Sequence, residues 1–248
     1  MAKRGKIEKG VEPIEEAVRP VRSKKYVYFV LIVCEDQNTE PAYFKQFENL
    51  FEGLLPEETI YVKRVGTGRN SLGVVKAAID ERLRVYEDNN HRTIDETWVV
   101  FDKDDLDQTP GNRINFESAF ALAEKEGINV AYSNECFELW LVLHFVDIDP
   151  SLPIPRNEIY KKLGESVNAS LPEGEVPFDY DHGSANVVDY VSRYGDEVAA
   201  MTRASALQSY HESLAHTPID SNPVTYVNRL VKSLRAWYRY FSYDNEEK

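Results

Sequence analysis

Cysteine is scarce in this 248-residue chain. The two that occur, Cys34 and Cys136, lie far apart, with no CxxC pair and no histidine-rich neighbour. This argues against a disulfide scaffold or a zinc site and for a reducing compartment. Long apolar runs are missing too. The longest, residues 139–146, contains His144 and is much too short to span a bilayer. Residues 1–25 have no apolar stretch of the kind a secretory signal needs, so a cytoplasmic location is expected. There is no internal repeat, no helix-turn-helix pattern and no zinc finger. Net positive charge is also absent: the formal charge is −13. An acidic body repels phosphates at long range, so a nucleic-acid partner would need local basic patches or bound cations.

What is present is rhythmic. Residues 26–35 (YVYFVLIVCE) form a continuous apolar run, as in a strand buried on both faces of a parallel sheet. Tyr43, Phe44, Phe47, Leu50, Phe51, Leu54 and Leu55 follow at helical spacing, with Asn38 or Thr39 as N-cap and Pro41 in the first turn. Residues 59–65 read as a strand, 71–89 as a helix and 97–102 as a third strand. A helix over 113–126 is closed by Gly127, and a fourth strand covers 128–133. The order predicts an α/β fold: a mostly parallel, four-stranded Rossmannoid sheet flanked by helices. Residues 136–146 read as helical. Prolines punctuate 150–180, and beyond Ser184 the patterns are helical only, with a break near Gly195 and a last helix over 223–242. The expected division is a flexible basic arm (1–24), an α/β domain (25–148) and an α-helical C-terminal lobe (149–248).

Ligands of open parallel sheets bind beyond the carboxyl ends of the strands. Two of those ends are acidic here: Glu35-Asp36 after the first strand, and Asp102-Lys103-Asp104-Asp105 after the third. Alternate residues of an extended segment share a side, so Asp102 and Asp104 can converge while Lys103 points away. Mg²⁺ needs one or two carboxylates plus waters and leaves positions for substrate phosphate, and a further carboxylate with a raised pKa can move protons. The competing explanation is a solvated acidic loop, which also accounts for Asp107. Glu138 either reaches back to the metal or simply favours a helix N-terminus. Asn134 either bonds phosphate or caps the next helix, and His144 reads as structural.

Lys63, Arg64 and Arg69 surround two glycines before a helix, a setting that suits a phosphate as well as an ordinary loop, without the Walker A order. In the last helix, Arg229, Lys232, Arg235 and Arg239 make one basic stripe, either a nucleic-acid surface or a solvated face. Opposite them, Val227, Leu230, Val231, Leu234, Trp237 and Phe241 should pack inward.

A glutamate ending strand one, with D-x-D after strand three, resembles the Toprim domain of topoisomerases, primases and nucleases. Four longer passages, LIVCEDQNTEPAYF (31–44), WVVFDKDDLD (98–107), SNECFELWLVLHF (133–145) and SNPVTYVNRLVKSL (221–234), resemble the RloB family of Toprim-like proteins, found in bacterial defence loci. The resemblance implies a Mg²⁺-dependent nuclease, with Mn²⁺ as a substitute, acting on RNA in preference to DNA. It also implies an AAA/ABC-type ATPase partner in anti-phage defence, with no membrane association, and is compatible with an oligomer. It makes Glu35 the general acid/base, Asp102 and Asp104 the metal ligands, and Asp105 a candidate extra ligand, beside Glu138 as read above. Two positions depart from the family pattern: Asp36 stands where glycine is usual, and Glu135 where proline is. The rival function is a non-catalytic module of the same fold that binds a nucleotide or docks the ATPase.

Overall fold

Burial on both faces makes residues 28–34 the spine of the protein. In a computed structural model, which describes residues 25–52, 58–88, 91, 93–103 and 111–246, every side chain from Tyr28 to Cys34 is buried. This strand, β1 (Lys25–Cys34), pairs in parallel with β2 (Glu58–Gly66) on one side and β3 (Glu96–Asp102) on the other. β4 (Asn129–Asn134) continues the parallel ladder beside β3. A strand buried on both faces cannot alternate polar and apolar residues, which is why these runs are nearly all apolar.

The sheet has one strand more than expected. Val224–Thr225 form β5, antiparallel to β4, and the order is β2-β1-β3-β4-β5. A two-residue strand is too short to show a period of two. It is held by partners distant in sequence: Ser133 Oγ and Thr225 Oγ1 lie 2.9 Å apart, and Gln208 donates to the Thr225 carbonyl at 2.6 Å. The C-terminal region is therefore not purely helical. Its final helix begins after the strand, at Val227 rather than at residue 223.

The crossovers are α1 (Thr39–Glu52), α2 (Ser71–Asp88) and α3 (Asn112–Glu126). On α1, Tyr43, Phe44, Phe47 and Phe51 are buried, one stripe at helical spacing. Gly127 ends α3 at φ 62°, a left-handed conformation that costs glycine nothing, and its N–H bonds back into the helix. The helix expected over 136–146 is shorter, α4 (Glu138–Val142), followed by turns.

The proline-marked stretch hides α5 (Arg156–Ser170). Pro155 precedes it in extended conformation, so the proline marks the helix's start. α6 (Val187–Tyr194) and α7 (Glu197–Ser213) break at Gly195 as expected. A Cβ at Gly195 would lie 2.6 Å from the Val191 carbonyl oxygen and 2.8 Å from His144 Cβ. α8 (Val227–Glu246) buries Val227, Leu230, Val231, Leu234 and Phe241, and stacks Trp237 on Tyr28 at 3.9 Å. The apolar core continues across residue 148, joining sheet and C-terminal helices. The arm expected over 1–24 lies outside the described residues. No described helix is long and apolar enough to cross a membrane.

Candidate active site

Parallel pairing places the ends of β1 and β3 side by side. Cys34 is in register with Val100, and the next residue continues the ladder, Glu35 N–H donating to the Val100 carbonyl at 2.9 Å. The Glu35 carboxylate then turns across the gap: its Oε2 accepts the backbone N–H of Asp102 at 2.8 Å. Two acids 67 residues apart thus share one edge of the sheet.

The turn after Glu35 is self-supporting. Asp36 accepts from the N–H of Gln37 at 2.5 Å and of Thr39 at 2.6 Å, so it caps the start of α1. That accounts for an aspartate where the family pattern favours glycine. Gly66 closes the turn from the β2 side. A Cβ there would meet the Asp36 carbonyl oxygen and Gln37 Cα, both at 2.6 Å. Thr67 and Gly68 donate to the carbonyls of Cys34 and Glu35 at 3.0 and 2.7 Å.

Two further carboxylates close on the same place. Glu40, in the first turn of α1, is 1 % exposed, and its Oε2 accepts the N–H of Asp36 at 3.1 Å. Glu138, in the first turn of α4, is 4 % exposed. It accepts a short hydrogen bond from the Tyr180 hydroxyl, and His182 Nδ1 lies 3.8 Å from it.

Electrostatics follow from that crowding. Burial pushes Glu35 up from 4.5 to about 7, against the Asp102 N–H and the Arg156 guanidinium, which favour its charge. Burial, then the charges of Glu40, Glu138 and Glu35, lift Asp102 well above the carboxylate range, with Arg156 opposing. Glu40 is raised as well, by burial first and Glu35 next. Asp102 Oδ1 is out of solvent with no hydrogen-bond partner among the described residues. A buried oxygen without a partner, among acids that repel one another, is what a cation would satisfy.

Among the described residues, no three His, Cys, Asp or Glu side chains are grouped so that they could hold a metal ion. Mg²⁺ does not require three, since one or two carboxylates and several waters suffice. The all-oxygen donor set and the unpartnered Asp102 Oδ1 fit that ion. Asp104 and Asp105, expected as ligands, lie outside the described residues, as does Asp107.

Several expected contacts resolve differently. Lys103 turns to a different acid, Glu135, at 2.9 Å, which Asn222 also meets at 2.9 Å. Asn222 in turn bonds Ile154 in both directions, anchoring the approach to α5. Asn134 is fully buried and donates to the carbonyls of Pro218 and Ile219, so it ties down a loop instead of facing phosphate. Arg64 binds Glu48 and the Pro41 carbonyl, clamping β2 to α1. Arg69 is exposed in the loop before α2. Lys63 lies in β2, and its side chain is outside the described part.

The basic stripe is divided. Arg235 makes two bonds to Glu197, at 2.7 and 2.9 Å, and sits over the Phe47 ring. Arg229 lies over Tyr226 and 3.2 Å from Glu212. Lys232 and Arg239 are exposed. His144 is structural as expected, its Nδ1 2.9 Å from the Trp140 carbonyl. His211 is buried, with its Nδ1 2.9 Å from that of His216.

Sequence reasoning missed Glu40, Arg156 and Tyr180. Glu40 carried a signal, an acid five residues after Glu35 in a helix's first turn. Arg156 and Tyr180 had none, because only tertiary packing brings them to the site.

This fold and site define a class: parallel α/β proteins with carboxylates gathered beyond the ends of adjacent strands. The chain belongs to the RloB-like family, whose model, described as RloB-like protein, matches residues 30–234. No curated protein matches the chain, and no solved structure does.

Proposed function

We propose that this protein is a Toprim-type, Mg²⁺-dependent nuclease that cleaves phosphodiester bonds, RNA in preference to DNA. The observation that carries the reading is the Glu35–Asp102 contact. A glutamate whose pKa burial pushes up to about 7 touches the strand end where Asp102 keeps a buried oxygen without a partner among the described residues. Asp102 would hold the metal, with Asp104 and Asp105 following it in sequence and Glu138 facing the same cluster. When bound, Mg²⁺ would polarise the scissile phosphate and offset the local negative potential.

The chain's own residues supply the rest. Glu35 is poised to take or give a proton near neutral pH, because burial has brought its pKa to the working range. The Asp102 N–H holds the Glu35 carboxylate in place at the strand end. Arg156 supplies a positive charge that favours ionised Glu35 and Asp102. Family membership supports a role in bacterial anti-phage defence beside an ATPase of the AAA or ABC type.

The test is cleavage of total cellular RNA and plasmid DNA by the purified chain, with and without Mg²⁺, sequencing the ends produced. Mg²⁺-dependent cuts that vanish in Asp102→Ala and Asp104→Ala, with the fold intact, support the enzyme. Cleavage that survives both changes would overturn this site. Metal binding without cleavage of either substrate would favour the non-catalytic module.

A further inference from the structure

Beside the acid cluster, the C-terminal region lays out aromatic rings in a row. His182 stacks on Tyr160 with centroids 5.0 Å apart, and Tyr160 meets Tyr180 at 5.5 Å. The row continues from Tyr180 to Phe178 at 6.3 Å, to Tyr190 at 4.6 Å and to Tyr194 at 6.4 Å. Its near end touches the candidate active site, through the Tyr180 hydroxyl on Glu138 and His182 Nδ1 3.8 Å from the same carboxylate. Its far end lies on α6.

Rings in the core are sealed: Tyr43, Phe44, Phe47 and Phe116 are at most 1 % exposed. The six residues of the row are all at least partly exposed, His182 most of all, while Tyr160, Phe178, Tyr180 and Tyr190 also pack against the core. A run of six partly exposed aromatic residues leading to the site leaves ring surface that the core does not cover.

We propose that this row is a stacking bed for unpaired nucleobases, which leads single-stranded nucleic acid to the carboxylate site. The proposal rests on the nuclease reading for the direction of travel, and it names the substrate class as single-stranded. Bases of an intact duplex stack on each other and cannot lie on side chains, whereas unpaired bases do so readily. Charge cannot carry the binding. The chain is at −13; the cations beside the row in sequence (Lys161, Lys162, Arg193) are accompanied by Asp179, Asp181 and Asp189, and Arg156, which acts on Tyr160, also faces the acids of the site. Few phosphate contacts release few counterions, so affinity should depend only shallowly on salt.

The test uses the full chain and a single-stranded oligonucleotide carrying 2-aminopurine, in Ca²⁺ to hold back cleavage. Binding should quench the probe, and a duplex of the same sequence should bind more weakly. His182→Ala and Tyr190→Ala should each weaken binding about tenfold. His182→Phe, which keeps a ring, should restore it. In Mg²⁺, Tyr190→Ala, on α6 at the far part of the row, should raise KM for a single strand.

Wild-type affinity in both alanine variants, equal affinity for duplex, or no binding of the single strand would each overturn the stacking bed. Failure of the nuclease reading looks different: the single strand would bind through these rings, yet Mg²⁺ would produce no cuts.

Discussion

The carboxylate of Glu35 accepts the backbone N–H of Asp102 at 2.8 Å, so an acid on β1 is fastened to the last residue of β3. The bond has two effects. It orients Glu35, and it partly offsets the burial that raises the Glu35 pKa to about 7. The same bond brings a carboxylate against the strand end that carries Asp102.

Glu35→Gln separates chemistry from architecture. The amide oxygen can still accept the Asp102 N–H, but it cannot carry a proton to or from substrate. Cleavage should fall about a hundredfold or more, with the circular dichroism spectrum unchanged. Retained activity would remove Glu35 from the proposed chemistry.

Asp102→Asn should make the metal-free protein more stable while abolishing cleavage. It removes a carboxyl whose ionised form is disfavoured by burial and by Glu40, Glu138 and Glu35. The gain should be about 2–4 °C in Tm for each kcal/mol of relieved repulsion in a domain of this size. Mg²⁺ should raise the Tm of the wild type and not of the variant. Differential scanning calorimetry with and without Mg²⁺ reads both effects.

His144 predicts a loss of stability in acid. Burial lowers its pKa from 6.5 to about 4, so the unfolded chain binds the proton more readily than the folded one. Its contribution is complete above 6.5 and is lost as pH falls through the window to about 4. A shift of that size corresponds to about 3 kcal/mol. Urea denaturation at pH 7 and pH 4.5 should show a steeper loss for the wild type than for His144→Gln.

Arg235 and Lys232 should behave differently despite sharing a helix. Arg235→Ala breaks the paired bonds to Glu197 and uncovers Phe47, so it should cost about 1–3 kcal/mol. Lys232 is exposed, and Lys232→Glu should change stability by less than about 0.5 kcal/mol. Thermal melts of the two variants decide whether the charges of α8 hold the fold or face solvent.

Much of this protein was legible in its residues. The apolar runs ending at Cys34 and Phe101 specified buried strands, because a strand covered on both faces has no polar side to show. Their abrupt change to Glu35 and Asp102 marked the carboxyl-terminal edge of the sheet, where the acids gather. The aromatic stripe of α1, the stop at Gly127 and the break at Gly195 followed from local backbone physics. Tertiary structure decided the rest. β5 exists only because β4 offers an open edge, and Pro155 reads as a breaker until the helix after it is seen. Arg235 belonged to a basic stripe by spacing alone, and a partner on α7 claims it. Glu40, Glu138, Arg156 and Tyr180 come from four separate segments, and no periodicity within one segment can report a meeting among four. The sequence by itself determined which residues could form the sheet and where its acids would stand. Only packing decided which acids share a desolvated space, and that sharing raises their pKa values.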